Sequence, residues 1–154
     1  MGVNLTDVEV VAASELASWG RRLVALMIDS VVLATIITVT VLAAGVAPDE
    51  LSDRIHNRDT LLILLLFVVP EAIYTTALIG SLNQTFGKMA VGIKVVDAED
   101  RSQIGYRRAF TRWLSTAFLW LLWVPGIVDH LWPLRDGRNQ TFHDKFARSI
   151  VVRT

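Results

Sequence analysis

No cysteine occurs anywhere in the 154 residues, which removes disulfides, thiolate nucleophiles and thiolate metal sites together. Charge is scarce as well: 19% of the residues are Asp, Glu, Lys or Arg, against 53% that are hydrophobic. That balance excludes an ordinary small soluble domain and points to an integral membrane protein. No base precedes Arg21, whereas Asp7, Glu9 and Glu15 do, the wrong sign for the leading region of a secretory signal. The first apolar run is therefore expected to be an uncleaved anchor behind an acidic, cytoplasmic N-terminal segment, residues 1–18. Lys plus Arg equals Asp plus Glu at 15 each, so net charge offers no argument for a nucleic-acid partner. The three histidines, His56, His130 and His143, show no ligand spacing, and neither a metal nor a cofactor is expected.

What is present is a set of long apolar runs with a few charges in costly places. From Leu23 to Ala44 the single formal charge is Asp29, in a run long enough to cross a hydrocarbon core of about 30 Å. Ser18 stands at the expected N-cap, with Trp19 at interface depth and Arg21 and Arg22 at the cytoplasmic boundary. A polar segment, Asp49 to Thr60, is expected as an external loop. The second run, Leu61 to Gly80, carries Pro70 and Glu71 near its middle, where proline loosens the backbone ladder and a carboxylate costs about 3 kcal/mol to insert. Glu71 is expected to face protein or water.

Between Ser81 and Arg112 six bases outnumber three acids, and the tail after Leu134 is basic again. The positive-inside rule places both in the cytoplasm. Residues 83–106 are read as a cytoplasmic hairpin holding a short strand at Val91 to Asp97, and 135–154 as a cytoplasmic tail. The apolar stretch between them, Trp113 to Leu134, is interrupted by Pro125-Gly126 and carries Asp129 and His130. Cytoplasmic flanks on both sides favour a broken or re-entrant helical hairpin over one kinked span with its tail outside. The expected fold is thus all-α and membrane-embedded, two transmembrane helices (about 19–44 and 61–80) plus the broken hairpin of 113–134, with a small cytoplasmic β element.

An internal echo supports that side assignment. Asn83-Gln-Thr-Phe-Gly-Lys-Met-Ala-Val-Gly-Ile-Lys-Val-Val96 and Asn139-Gln-Thr-Phe-His-Asp-Lys-Phe-Ala-Arg-Ser-Ile-Val-Val152 agree at both ends over equal lengths. Equivalent units should occupy equivalent environments, and their Val-Val strands could pair into a small sheet.

The residues able to carry chemistry are few. Arg22 and Asp29 stand seven apart on one helix face, about 10 Å and too far for a direct pair. Each should reach a third group. With both Asn-Gln-Thr-Phe turns on the side of Arg22, Arg22 is expected to bond Asp144. Asp29, one or two turns deeper, should meet a base or hydrogen-bond donor from another helix, and His143, Lys145 or Arg148 could approach it. The cluster suits either a packing clamp or a transport or proton-handling role. Asp129-His130 reads as a rim pair at a helix end, or with Glu71 and Asp29 as a relay of titratable groups. His143-Asp144 has no nucleophile at recognisable spacing, so capping of the following helix is expected and an enzyme is not.

Taken together, these marks resemble the RDD family of small bacterial membrane proteins, named for one arginine and two aspartates. The first two letters fall on Arg22 and Asp29, and the third on Asp144 within Gln140-Thr-Phe-His-Asp144. The family's middle signature is similar to Gln84-Thr-Phe-Gly-Lys88 with Gly92 to Asp97. Arg148-Ser149 departs from the small residues usual there. The resemblance implies a bacterial inner-membrane, multi-pass protein with a cytoplasmic signature face, and it implies transport, with cation/proton exchange proposed for some members. Two readings follow. In one, a homo-oligomer in the lipid bilayer moves an ion or small solute past Arg22, Asp29, Asp144, His143 and Glu71. In the other, a non-catalytic accessory subunit docks on a larger membrane complex.

Overall fold

The computed structural model describes residues 15–57 and 59–154; most of the acidic segment 1–18 lies outside the described residues. Helix α1 runs from Trp19 to Ala43, a length of roughly 37 Å at the standard rise. Ser18 holds the N-cap position in extended conformation but makes no side-chain cap bond. Polar residues along α1 satisfy themselves: the hydroxyls of Ser30, Thr35 and Thr40 each donate to the carbonyl four residues back at 2.8 Å. Apart from Arg21, Arg22 and Asp29, the helix therefore offers its surroundings almost nothing but side-chain carbon. Val31 and Leu42 are each 67% exposed, an apolar surface that a water-soluble chain would have to cover.

The segment expected as an external loop forms a short helix instead, α2 from Pro48 to His56. Asp49 and Glu50 occupy its first turn and Arg54 its last, the order that suits the helix dipole. The second apolar run opens with α3 (Thr60–Ile63), passes through a π-helical turn at Leu64–Val68 and continues as α4 (Val69–Leu82). Pro70 lacks the N–H that an α-helix would bring to Leu66, and the ladder widens just before it. Leu64–Leu82 and α1 are the two helices among the described residues that are long and apolar enough to cross a membrane.

After α4 come a five-residue helix, α5 (Phe86–Ala90), and strand β1 (Ile93–Asp97). The region 83–106 is therefore not a hairpin of its own. Its strand pairs with β2 (Ser149–Arg153) from the far end of the chain, antiparallel, with Val95 opposite Val151. Helix α6 begins at Gly105, well before the apolar stretch, and ends at Leu121; α7 covers Val124–Leu131, followed by a 3₁₀ turn at Trp132–Leu134 and the short helix α8 at Phe142–Phe146. The break falls at Trp123, whose φ is +56°, two residues ahead of Pro125-Gly126. Proline can only begin the next helix there, and Gly126 lets it fold back: a Cβ at Gly126 would lie 2.9 Å from the Trp120 ring.

The echo is a structural repeat. Asn83 and Asn139 both take left-handed backbone, Thr85 and Thr141 both cap a five-residue helix, and Gly92 and Arg148 both have positive φ before a strand. Gln84 and Gln140 each donate to the first carbonyl of the strand in its own unit, both at 2.9 Å. Because Val95 pairs with its own equivalent, Val151, the two units are related by a local two-fold through the sheet. The chain ahead of α1 extends this sheet at β2, where Ala17 donates to the Val151 carbonyl at 2.9 Å. Ile93, Val95 and Val151 pack with Ala25, Ile79 and Ala109 into the main core, which places the sheet directly beneath the start of α1.

Candidate functional site

The buried Arg112, Asp129 and Asp144 and the partly buried Arg22 meet where α1, α6, α7 and α8 converge. Asp144 is fully buried, and its Oδ2 accepts from Arg22 Nη1 at 2.7 Å while Oδ1 accepts from Arg112. The Thr141 N–H also donates to Asp144 Oδ2 at 3.1 Å, and the Asp144 N–H returns a 3.1 Å bond to the Thr141 hydroxyl. This reciprocal capping box fixes the carboxylate at the first turn of α8. Burial alone would raise the Asp144 carboxyl, but the charges of Arg112 and then Arg22 hold it well below the usual carboxylate range.

Arg112, like the Asp29 partner Tyr74, is a site residue that the sequence alone does not single out. It is 6% exposed, donates to Ser149 Oγ at 3.0 Å as well as to Asp144, and gives a further N–H to His143 Nε2 at 3.2 Å. Its position beside the apolar stretch reads as a boundary charge, and only the fold turns it inward. His143 Nδ1 lies 2.5 Å from Asp129 Oδ2, and its backbone N–H reaches Asp129 Oδ1 at 3.1 Å. A ring nitrogen that accepts from a guanidinium cannot carry a proton, so His143 is the neutral tautomer that donates from Nδ1. Burial and then the Arg112 charge push its pKa down, against the pull of Asp129. Asp129 is fully buried and belongs to this cluster, not to a rim. His130 is more open; its Nδ1 lies 3.0 Å from the Gly126 carbonyl and 3.6 Å from Asp129.

Asp29 occupies a second, adjoining cradle. Its Oδ1 accepts from Tyr74 at 2.6 Å and from the Gly87 N–H at 2.7 Å, and its Oδ2 accepts from the Thr85 hydroxyl at 2.6 Å. The base near it is Lys88, 4.0 Å away. The expectation that His143, Lys145 or Arg148 would approach is overturned: Lys145 turns outward to Asp136, and His143 is committed to Asp129 and Arg112. Gly87 makes the cradle possible, because a Cβ there would lie 2.1 Å from the Ala25 carbonyl and 2.8 Å from Asp29 Cγ. Burial, reinforced by Arg112, pushes the Lys88 ammonium down to about 8 against the opposing pull of Asp29 and Asp144.

Three cavities line up along α1. One of about 130 Å³ touches Arg22, Lys88, Arg112 and His143. The next, about 160 Å³, shares Asp29, Lys88, Arg112 and His143 with the first and reaches Glu71, Tyr74 and Thr75. A wider one of about 500 Å³ shares Ser30, Leu33 and Glu71 with the second and ends at Phe67 in the π-helical turn. Glu71 thus stands off from the ion-paired cluster, on the far wall of a cavity that Asp29 also lines.

No curated relative and no solved structure matches this chain. The sequence model described as the RDD family matches residues 16–148, a stretch that contains Arg22, Asp29, Arg112 and Asp144. That match covers most of a membrane protein with two apolar helices long enough to span, and the chain belongs to the RDD family.

Proposed function

We propose that this protein moves protons or small cations across a bacterial inner membrane, through the line of cavities between α1 and α4. The carrying observation is that Asp29 and Glu71, one in each apolar helix, line a single cavity with Tyr74, Thr75 and Ser30. Carboxylates at that depth are costly and are retained where they face a water-filled path or one another. The π-helical turn beside Glu71 supports the same reading, since such turns leave backbone groups free to adjust. In this reading the signature units and both basic segments face the cytoplasm, α6 and α7 form the re-entrant hairpin, and copies of the chain associate to complete the pathway. No chemical step is assigned to the cluster, whose imidazole is locked between Asp129 and Arg112.

Purified protein in liposomes containing a pH-sensitive dye, under an imposed sodium or potassium gradient, tests the proposal. Wild-type vesicles are expected to show cation-driven proton movement that falls at least about tenfold in Asp29→Asn and in Glu71→Gln. A correctly folded wild type with no flux, recovered with stoichiometric partner proteins, would overturn it in favour of an accessory subunit. A topology reporter fused after Thr154 checks the side assignment; an external C-terminus would remove the re-entrant hairpin.

A further inference from the structure

The cavity beside the ion-paired cluster has a wall of two kinds. Arg22, Lys88 and Arg112 bring cations to it beside the Asp29 carboxylate, and Trp19, Leu23 and Leu26 bring apolar surface. Arg22 is the informative residue: Nη1 is committed to Asp144, but Nε and Nη2 are buried without a hydrogen-bond partner among the described residues. Buried donors in that condition are costly, and a guanidinium is the group best shaped to offer two parallel N–H bonds to an oxyanion. The two carboxylates nearby do not fill this demand. Asp29 is already saturated by Tyr74, Thr85 and Gly87, and Asp144 by Arg22, Arg112 and the Thr141 amide.

The apolar side leads outward. Leu23 and Leu26 are 40% and 43% exposed and continue into Met27 at 61%, all on the part of α1 that carries Trp19 at its end. The cavity therefore borders the surface that α1 turns toward the membrane interior. The Lys88 ammonium, 4.0 Å from Asp29 Oδ2, lines the same cavity.

We propose that this cavity binds the phosphate of an anionic phospholipid, with Arg22 and Lys88 on the headgroup oxygens and the acyl chains lying along Leu23, Leu26 and Met27. Basic pockets between helices at the membrane surface recognise lipid headgroups by this combination of charge and adjoining apolar surface. A choline headgroup would set its own cation beside the Arg22 and Lys88 donors that the phosphate is to meet, so a zwitterionic lipid fits worse. A free phosphate offers the same oxygens but makes no use of the apolar wall.

The test is binding to the full-length protein in detergent, read by native mass spectrometry and by thermal unfolding. The added probes are phosphatidylglycerol, phosphatidylcholine and inorganic phosphate. Phosphatidylglycerol is expected to bind about tenfold more tightly than phosphatidylcholine and to raise Tm. Arg22→Lys, which keeps a charge facing Asp144 but loses the spare guanidinium donors, is expected to erase most of that preference. Lys88→Met leaves the Asp144 pairing in place and decides the matter should Arg22→Lys fail to fold; an unchanged preference in Lys88→Met overturns the proposal. Equal affinity for the two lipids overturns it as well. Stabilisation by inorganic phosphate equal to that by phosphatidylglycerol assigns the cavity to a soluble oxyanion and overturns the lipid.

Discussion

The unit at 83–97 and the unit at 139–153 share a backbone frame and divide the charge between them in opposite ways. In each, a threonine caps a five-residue helix, and an amide in its first turn, Gly87 or His143, donates to a carboxylate from another helix. In the first unit that carboxylate is Asp29 of α1, and the unit itself supplies a cation, Lys88. In the second the carboxylate is Asp129 of α7, and the unit supplies an anion, Asp144, which gathers its cations from α1 and α6. Two copies of one turn thus yield a cradle with hydrogen bonds on one side and an ion-pair node on the other.

If that division holds, the matched positions Lys88 and Asp144 should respond very differently to removal. Asp144→Ala leaves two buried guanidinium groups without a counter-charge and is expected to cost about 3–5 kcal/mol in unfolding free energy. Lys88→Met removes a cation that burial already disfavours, while Asp29 keeps its three hydrogen bonds; the expected change is within about 1 kcal/mol. Denaturant unfolding in mixed micelles measures both, and comparable losses would break the comparison. At the preceding pair of positions the asymmetry reverses. Gly87→Ala drives a Cβ into the Ala25 carbonyl, with backbone on both sides of the clash, and is expected to cost about 3 kcal/mol. His143→Ala opens space and strands both the Asp129 carboxylate oxygen and the Arg112 N–H that its ring bonds, for about 2 kcal/mol.

Much of this arrangement is legible in the residues. The two apolar helices follow from the length of the apolar runs, the repeat from Asn-Gln-Thr-Phe occurring twice, and the meeting of Arg22 with Asp144 from placing both signatures on one side. Three things are not legible, each for a physical reason. Arg112 looks like a boundary charge because nothing local says which face of α6 turns inward; that is decided by the packing of α6 against α4 and α8. Tyr74 and Gly87 become partners of Asp29 only through tertiary contact, and an interrupted apolar run does not announce which residues line its gaps. The break at Trp123 precedes the proline because the turn residue, not the proline, must take the positive φ.

The caps offer a finer separation. Thr85 and Thr141 hold equivalent positions, but the Thr85 hydroxyl also donates to Asp29 Oδ2 at 2.6 Å, whereas the Thr141 hydroxyl, among the described residues, serves only the Asp144 amide, at 3.1 Å. Thr85→Val is therefore expected to cost about 2 kcal/mol and Thr141→Val about 1 kcal/mol, the ordinary value of a lost cap. Equal losses would mean that Asp29 is held by Tyr74 and the Gly87 amide alone.

The smallest expected effect is also the most specific, because only the second unit contains a histidine. His143 is neutral when folded, its pKa pushed down by burial and then by Arg112, with Asp129 and Asp144 pulling the other way. The unfolded chain, with an ordinary imidazole near 6.5, binds the proton first, so stability is full above that pH and falls as pH drops through it. Between pH 7 and pH 6 the expected loss is at most about 0.7 kcal/mol. The carboxylates held low, Asp144, Asp97 and Asp136, cannot contribute there, since their stabilisation is lost only as pH falls below the ordinary carboxylate range. Lys88 acts at the other end: its lowered pKa makes the folded protein gain stability as pH rises from about 8. His143→Gln should flatten the slope between pH 7 and pH 6 while leaving the alkaline rise intact. A slope that survives the substitution would place the titrating group outside the second unit.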